Sequence, residues 1–301
     1  MKILFQNYSN NLSTEPQYLH LALREAGAES HIWSPNQGSV YDVFDTVKPD
    51  VFVAHYATLS NDIFSYLNEH RNVGLVLNVT GLENDEPTLS SVCDKIKSSN
   101  INCKFLFSNN VFCTKTSHNG LPIKTLYPAA DIFNGSVPQE PSLELAVISD
   151  EFSELVENHV GKSDVYHLLY IGGEKEYGDF DIGVSLSALS QLYKGYKHFD
   201  IIGKNLFNSQ LFFDACLNCN SLSFPTSDED SKQFSKFLEK VFDCNTSDDG
   251  NDIFYQVKKQ IKSKHTPFHR AWTLAKHLKN EQWMKSLTTI KDKVSDVLGD
   301  L

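Results

Sequence analysis

The 301-residue sequence lacks any apolar run of the roughly 18 residues needed to cross a bilayer, which argues against a transmembrane helix. Its opening stretch, MKILFQNYSNN, carries one lysine and a short apolar run, less than the roughly 7–15 apolar residues of a secretory h-region, so the expectation is a cytosolic protein. Cysteine is sparse: Cys93, Cys103, Cys113, Cys216, Cys219 and Cys244 are expected to be thiols in a reducing compartment. Cys216 and Cys219 form a lone C-x-x-C with no second pair at zinc-site spacing, and their apolar neighbours point to buried thiols at a helix end. Basic charge is in deficit, with 27 Lys and Arg against 38 Asp and Glu and a net charge of −11. Such a chain repels polyanions at long range, which disfavours a coat for nucleic acid and leaves room for one local basic patch. The sequence also holds no G-x-G-x-x-G, P-loop, H-E-x-x-H, G-x-S-x-G or EF-hand pattern.

What is present alternates. Residues 2–6, 31–33, 50–54, 74–78, 103–107 and 124–127 read as short, near-continuous apolar strands, with helical spacing over 15–26, 40–47 and 60–69. Strands of this kind, spaced by helices, signal a parallel sheet covered on both faces. The polar stretch GSVPQEP at 135–141 holds two prolines and breaks the alternation, so it marks a domain boundary between residues 1–135 and 142–301. The pattern then restarts, with strands at 145–149, 165–171, 199–202 and 221–224 and helices at 151–160, 184–193 and 209–217. From 228 onward the chain reads as helical, with 226–231 and 245–252 as acidic connectors. The expected fold is α/β: two Rossmann-like parallel-sheet domains facing a cleft, followed by C-terminal helices. Open parallel sheets bind ligands at the carboxyl ends of their strands.

Candidate site residues follow from that edge. His55 ends the apolar strand at 50–54. Gly172 and Gly173 follow a strand, where glycine lets a backbone approach a ligand and exposed N–H groups can cradle phosphate. Residues 254–280 carry seven cations and no acid, a local reversal of the chain's charge. Within it Pro267 suits a first helical turn with Thr266 as its cap, and His265, His269 and Arg270 stand nearby, a combination suited to a diphosphate.

The stretch 186–224, LSALSQLYKGYKHFDIIGKNLFNSQLFFDACLNCNSLSF, resembles the nucleotide-sugar half of GT-B glycosyltransferases, particularly the glycosyltransferase group 1 and CgeB-like (spore-maturation) proteins. Asp214 in FFDA stands where that family has a carboxylate holding the nucleotide ribose. KPDVFVAHY at 48–56 resembles the strand that delivers a His to the cleft, which His55 matches. VLNVTG at 76–81, LYPAADIF at 126–133 and HTPFHRAWTL at 265–274 resemble later family segments in the same order, the last being a helix that returns toward the first domain. There are departures. The position eight residues before Asp214, where the family has a second carboxylate, is Leu206, and the glycine-rich turn after the first strand is replaced by residues 7–11.

The resemblance implies a GT-B-like glycosyltransferase that moves a sugar from a nucleotide-sugar donor to a hydroxyl acceptor, retaining and metal-independent. It implies no cofactor beyond the nucleotide-sugar co-substrate. His55 is then the catalytic contact to the transferred sugar. Asp214, Lys204, Asn208, Ser209, Gly172, Gly173, His265 and Arg270 bind the donor, with Lys204 or Arg270 on the diphosphate. Two alternatives stand beside it: a GT-B-like binding protein that has lost catalysis, to which Leu206 points, and a glycosyltransferase acting on hydroxymethylated DNA bases, which the net charge disfavours.

Overall fold

The structure, a computed structural model, describes residues 1–7, 14–133, 143–149, 166–170, 181–183, 196–202, 210–219, 222–223, 228–244 and 250–299. The boundary at 135–141, the helices expected at 151–160 and 184–193, and Gly172, Gly173, Lys204, Asn208 and Ser209 lie outside the described residues. The chain forms two compact units. The first comprises Met1–Tyr8, Glu15–Tyr127 and Pro267–Lys293, and the second Ser9–Thr14, Pro128–Thr266 and Val294–Leu301.

In the first unit the strands are β1 (Lys2–Gln6), β2 (Glu29–Trp33), β3 (Val51–His55), β4 (Gly74–Asn78), β5 (Cys103–Ser108), β6 (Ser117–His118) and β7 (Leu121–Thr125). They form one sheet in the order β2-β1-β3-β4-β5-β7-β6, parallel except for β6 at the edge. The apolar runs in β1, β3 and β4 are buried on both sides, as a covered parallel sheet requires. Leu4, Phe52, Leu75, Leu77 and Leu106 share a core with α2 (Val40–Val47), α3 (Asn61–Glu69) and α4 (Glu86–Ser98). Helix α1 (Glu15–Glu25) packs against a helix from the far end of the chain, Pro267–His277.

Local chemistry sets the helix ends. Ser39, Ser60 and Asp85 each accept a backbone N–H of the first turn they cap. Helix α1 ends in a Schellman motif: Gly27, at φ 80°, donates its N–H to Arg24, and Ala28 donates to Leu23. The β6–β7 hairpin turns through Asn119 and Gly120, both at positive φ, the conformation an Asn-Gly pair favours. That hairpin makes the last strand Leu121–Thr125, earlier than the 124–127 read from apolarity alone.

In the second unit β8 (Leu143–Ser149), β9 (Tyr166–Tyr170), β10 (Asp181–Gly183), β11 (Tyr196–Ile202) and β12 (Leu222–Ser223) form an all-parallel sheet in the order β10-β9-β8-β11-β12. Its helices among the described residues are α5 (Gln210–Asn218), α6 (Asp228–Phe242) and α7 (Gly250–Lys264). Almost every residue of α5 is buried: its apolar residues pack inward, and its one polar row, Gln210, Asp214 and Asn218, is hydrogen-bonded along the helix. Phe212 and Phe213 meet Phe237 and Phe242 of α6 edge-on or tilted. The acidic residues at 228–230 begin a helix rather than a connector, because carboxylates are favoured at the positive end of the helix dipole. Helix α8 (Pro267–His277) and most of α9 (Glu281–Gly299) return the chain to the first unit. The fold class is therefore α/β with two parallel sheets, as expected.

Candidate functional site

Each sheet has a switch point, where the chain's crossovers change direction and the strand ends leave a crevice. In the first unit it lies between β1 and β3, so it is flanked by Gln6 and His55. Gln6 and Thr58 bridge reciprocally: the Gln6 amide donates to the Thr58 carbonyl at 3.2 Å, and the Thr58 hydroxyl donates to Gln6 Oε1 at 2.9 Å. His55 Nδ1 accepts the Ala57 N–H at 3.3 Å, capping the single 3₁₀ turn Tyr56–Thr58. The other side of the ring donates to the Thr80 backbone. Burial lowers the His55 pKa, against the opposing pull of the Glu15 carboxylate, so the ring is neutral near pH 7 with its proton on Nε2.

A polar network continues along the same edge. The Thr80 hydroxyl accepts the Asn109 N–H at 3.0 Å. The Asn109 side chain donates to Glu15 at 3.1 Å and accepts from Arg270 at 2.6 Å. Arg270, on α8, pairs with Glu15 at 2.7 Å, donates to the Leu126 carbonyl at 2.6 Å and also bonds the Tyr127 carbonyl. Its guanidinium lies over the Phe107 ring. Arg270 and Glu15 are 3% and 2% exposed. Beside them Glu83 binds the Ser108 hydroxyl and the Gly81 N–H. The network thus ties the ends of β3, β4, β5 and β7 to the first turn of α1 and to α8.

In the second unit the switch point lies between β8 and β11. Asp214, on α5, is 2% exposed. Its carboxyl accepts the Asp131 N–H at 2.6 Å and the Gln210 amide at 3.2 Å. Gln210 also donates to the Thr14 hydroxyl at 2.6 Å and accepts the Thr14 N–H at 2.9 Å, while that hydroxyl donates to Asp131 at 2.9 Å. Burial, then the neighbouring Asp131 charge, pushes the Asp214 pKa well up, and the two donated bonds offset only part of this. His265 packs edge-on against Phe213 and Phe242, and its carbonyl accepts the Ala130 N–H at 2.9 Å.

The structure therefore brings His55 and Arg270 onto one network in the first unit, and Asp214 and His265 around α5 in the second. The ligand contacts expected of Asp214, His265 and Arg270 meet a physical obstacle: each is under 9% exposed and engaged with protein groups. The sequence reading did not single out Glu15, Asn109, Asp131 or Gln210. A Glu-Pro pair at a helix start was the one signal for Glu15. Among the described residues no group of three His, Cys, Asp or Glu side chains is placed to hold a metal ion. Likewise, among them no helix is long and apolar enough to cross a membrane.

No protein-family model and no curated protein matches the chain. Among solved structures, a calicheamicin glycosyltransferase aligns with the chain at a TM-score of 0.47 and 10% identity, over 93% of this chain and 98% of that one.

Proposed function

We propose that the chain is a GT-B-like glycosyltransferase, in which the second unit takes the nucleotide-sugar donor and the first takes a hydroxyl acceptor. The observation that carries this reading is topological. Two parallel α/β sheets follow one another, each with its own switch point, and the chain's last helices rejoin the first unit. In it, transfer is retaining and needs no metal. His55 offers a neutral imidazole to the transferred sugar by exchanging its bond to Thr80, and Lys204, Asn208, Ser209, Gly172 and Gly173, which follow β11 and β9 in the sequence, hold the donor. Arg270 fixes the strand ends of the first unit and Asp214 holds α5 of the second rather than meeting the ligand, because binding a diphosphate would strip Arg270 of Glu15 and two carbonyls.

That same commitment of charged groups favours a second reading, a binding protein of this fold without catalysis. Incubation with a panel of uridine, guanosine, adenosine and thymidine diphosphate sugars separates the two. The enzyme reading predicts release of the nucleoside diphosphate from at least one donor, accelerated by an acceptor. Thermal stabilisation by a donor without release favours the binding protein, and neither response contradicts both.

A further inference from the structure

Strand β2 is the free edge of the first unit's sheet, and a groove of about 700 Å³ runs along it. The ladder to β1 fixes which backbone groups face that groove. Gln6 lies opposite Trp33, and the Asn7 N–H donates to the Trp33 carbonyl at 2.7 Å. In a parallel pair alternate residues turn both backbone groups to the same neighbour, so Glu29, His31 and Trp33 face β1 while Ser30 and Ile32 face outward. The Ser30 N–H is taken by the Ala28 carbonyl at 3.0 Å. The Ile32 N–H and the carbonyls of Ser30 and Ile32 are left unpaired among the described residues, although Ser30 is buried and Ile32 half-buried. An unpaired strand edge is a template for another strand.

The pleat gives the two sides of this edge different chemistry. Ser30 and Ile32 share a side with α1: His20 Nδ1 is 3.0 Å from Ser30 Oγ, and Arg24 follows His20 by one turn. Burial, then the charges of Arg24 and His31, hold the His20 pKa down to about 4, so Arg24 is the cation of that side near pH 7. His31 and Trp33 share the other side with α2, whose Phe44 ring meets Trp33 edge-on and whose Val43 and Val47 line the groove. Glu29, also on that side, is paired with Lys2 at 2.8 Å. A compact ligand reaches only one side. A strand added at the edge reaches both, because its own side chains alternate.

We propose that β2 receives an extended segment of a partner protein as an added strand, with acidic side chains toward Arg24 alternating with apolar ones toward Val43 and Val47. Backbone pairing with Ile32 and Ser30 supplies the attachment, and the two sides supply the selectivity. A second copy of this chain is a poorer complement. A twofold antiparallel pairing keeps each side facing its own kind, so the one carboxylate of β2, Glu29, would fall on the α2 side, away from Arg24. The groove's lining shares no residue with the His55 network or with α5, so the proposal stands apart from sugar transfer.

The probes are the acetylated, amidated peptides VEVEV and VKVKV, followed through the backbone amide NMR signals of the full chain. Salt at about 0.15 M screens the chain's net charge of −11. The added strand predicts saturable movement of the Ile32 amide signal with VEVEV and about threefold or more tighter binding of VEVEV than of VKVKV. Arg24→Glu, an exposed change that leaves the core untouched, should reverse that order. Only alternate N–H groups of an added strand face its neighbour, so N-methylation of one set, the glutamates or the valines, should abolish binding while the other is tolerated. No saturable change, an unaltered preference in Arg24→Glu, or equal binding by the two N-methylated sets would each overturn the proposal. An Ile32 amide already protected from exchange in the concentrated chain alone would overturn it in favour of a second copy.

Discussion

Arg270 and Glu15 make opposite demands on their surroundings depending on whether both are present. Paired, they neutralise one another inside the first unit at 2.7 Å. Arg270→Met strands a buried carboxylate, and Glu15→Gln strands a guanidinium, so each single change should cost about 3–5 kcal/mol of unfolding free energy. The double variant Glu15→Leu with Arg270→Met removes both charges and should recover most of that loss. Urea unfolding of the three variants checks this, and additive losses in the double variant would refute the pairing. Asp214 gives a pH signature. Its pKa is raised on folding above the ordinary 3.8, so the folded state holds the proton more tightly. The stability it contributes is fully present below 3.8 and is withdrawn as pH rises through the higher folded value. Asp214→Asn should therefore lose this component, and its stability relative to wild type should rise as the pH increases above 3.8. A difference independent of pH would show that the carboxyl does not titrate in this way. His55 was legible in sequence because it ends an apolar run. The partners of Arg270 and Asp214 were not, because Asn109 lies 161 residues from Arg270 and Asp131 lies 83 from Asp214, and periodicity reports nothing over such separations.

Elements were legible where one local signal dominated. Strands β1, β3 and β4 each hold an unbroken apolar run of three or four residues and were read almost to the residue. Helix α4 went unread although Asp85 caps it and a proline occupies its first turn, because its outer face is polar and its apolar stripe is narrow. The β6–β7 hairpin was missed for a different reason: two-residue β6 is too short to show alternation, so only Asn119-Gly120 announced it. Gly27 offers a clean test of end chemistry. A Cβ there meets nothing within 4 Å, so the cost of Gly27→Ala comes from the left-handed backbone alone. It should lower stability by about 1–2 kcal/mol with no loss of core packing. Unfolding midpoints measure the loss, and an unchanged near-ultraviolet circular dichroism spectrum would confirm that the core is intact. A neutral result would mean that the Schellman turn contributes little to the end of α1.

At the scale of the molecule, the chain repeats one solution, a parallel sheet with a switch point, in two strand orders. The alternation of strand and helix made that repetition legible, since it depends only on local apolarity and its period. The return of Pro267–Lys293 to the first unit was legible only through the family resemblance of HTPFHRAWTL; the structure gives its cause in the packing of α8 on α1 and in the Arg270 network. In the proposed function a nucleoside diphosphate sits at the switch point between β8 and β11. Hydrogen–deuterium exchange of the full chain, with and without uridine, guanosine, adenosine and thymidine diphosphates, tests it most directly. The account predicts that at least one of the four slows exchange at the carboxyl ends of β8 and β11 and leaves the β1–β3 edge unchanged. Protection confined to the first unit, or none with any of the four, would contradict it.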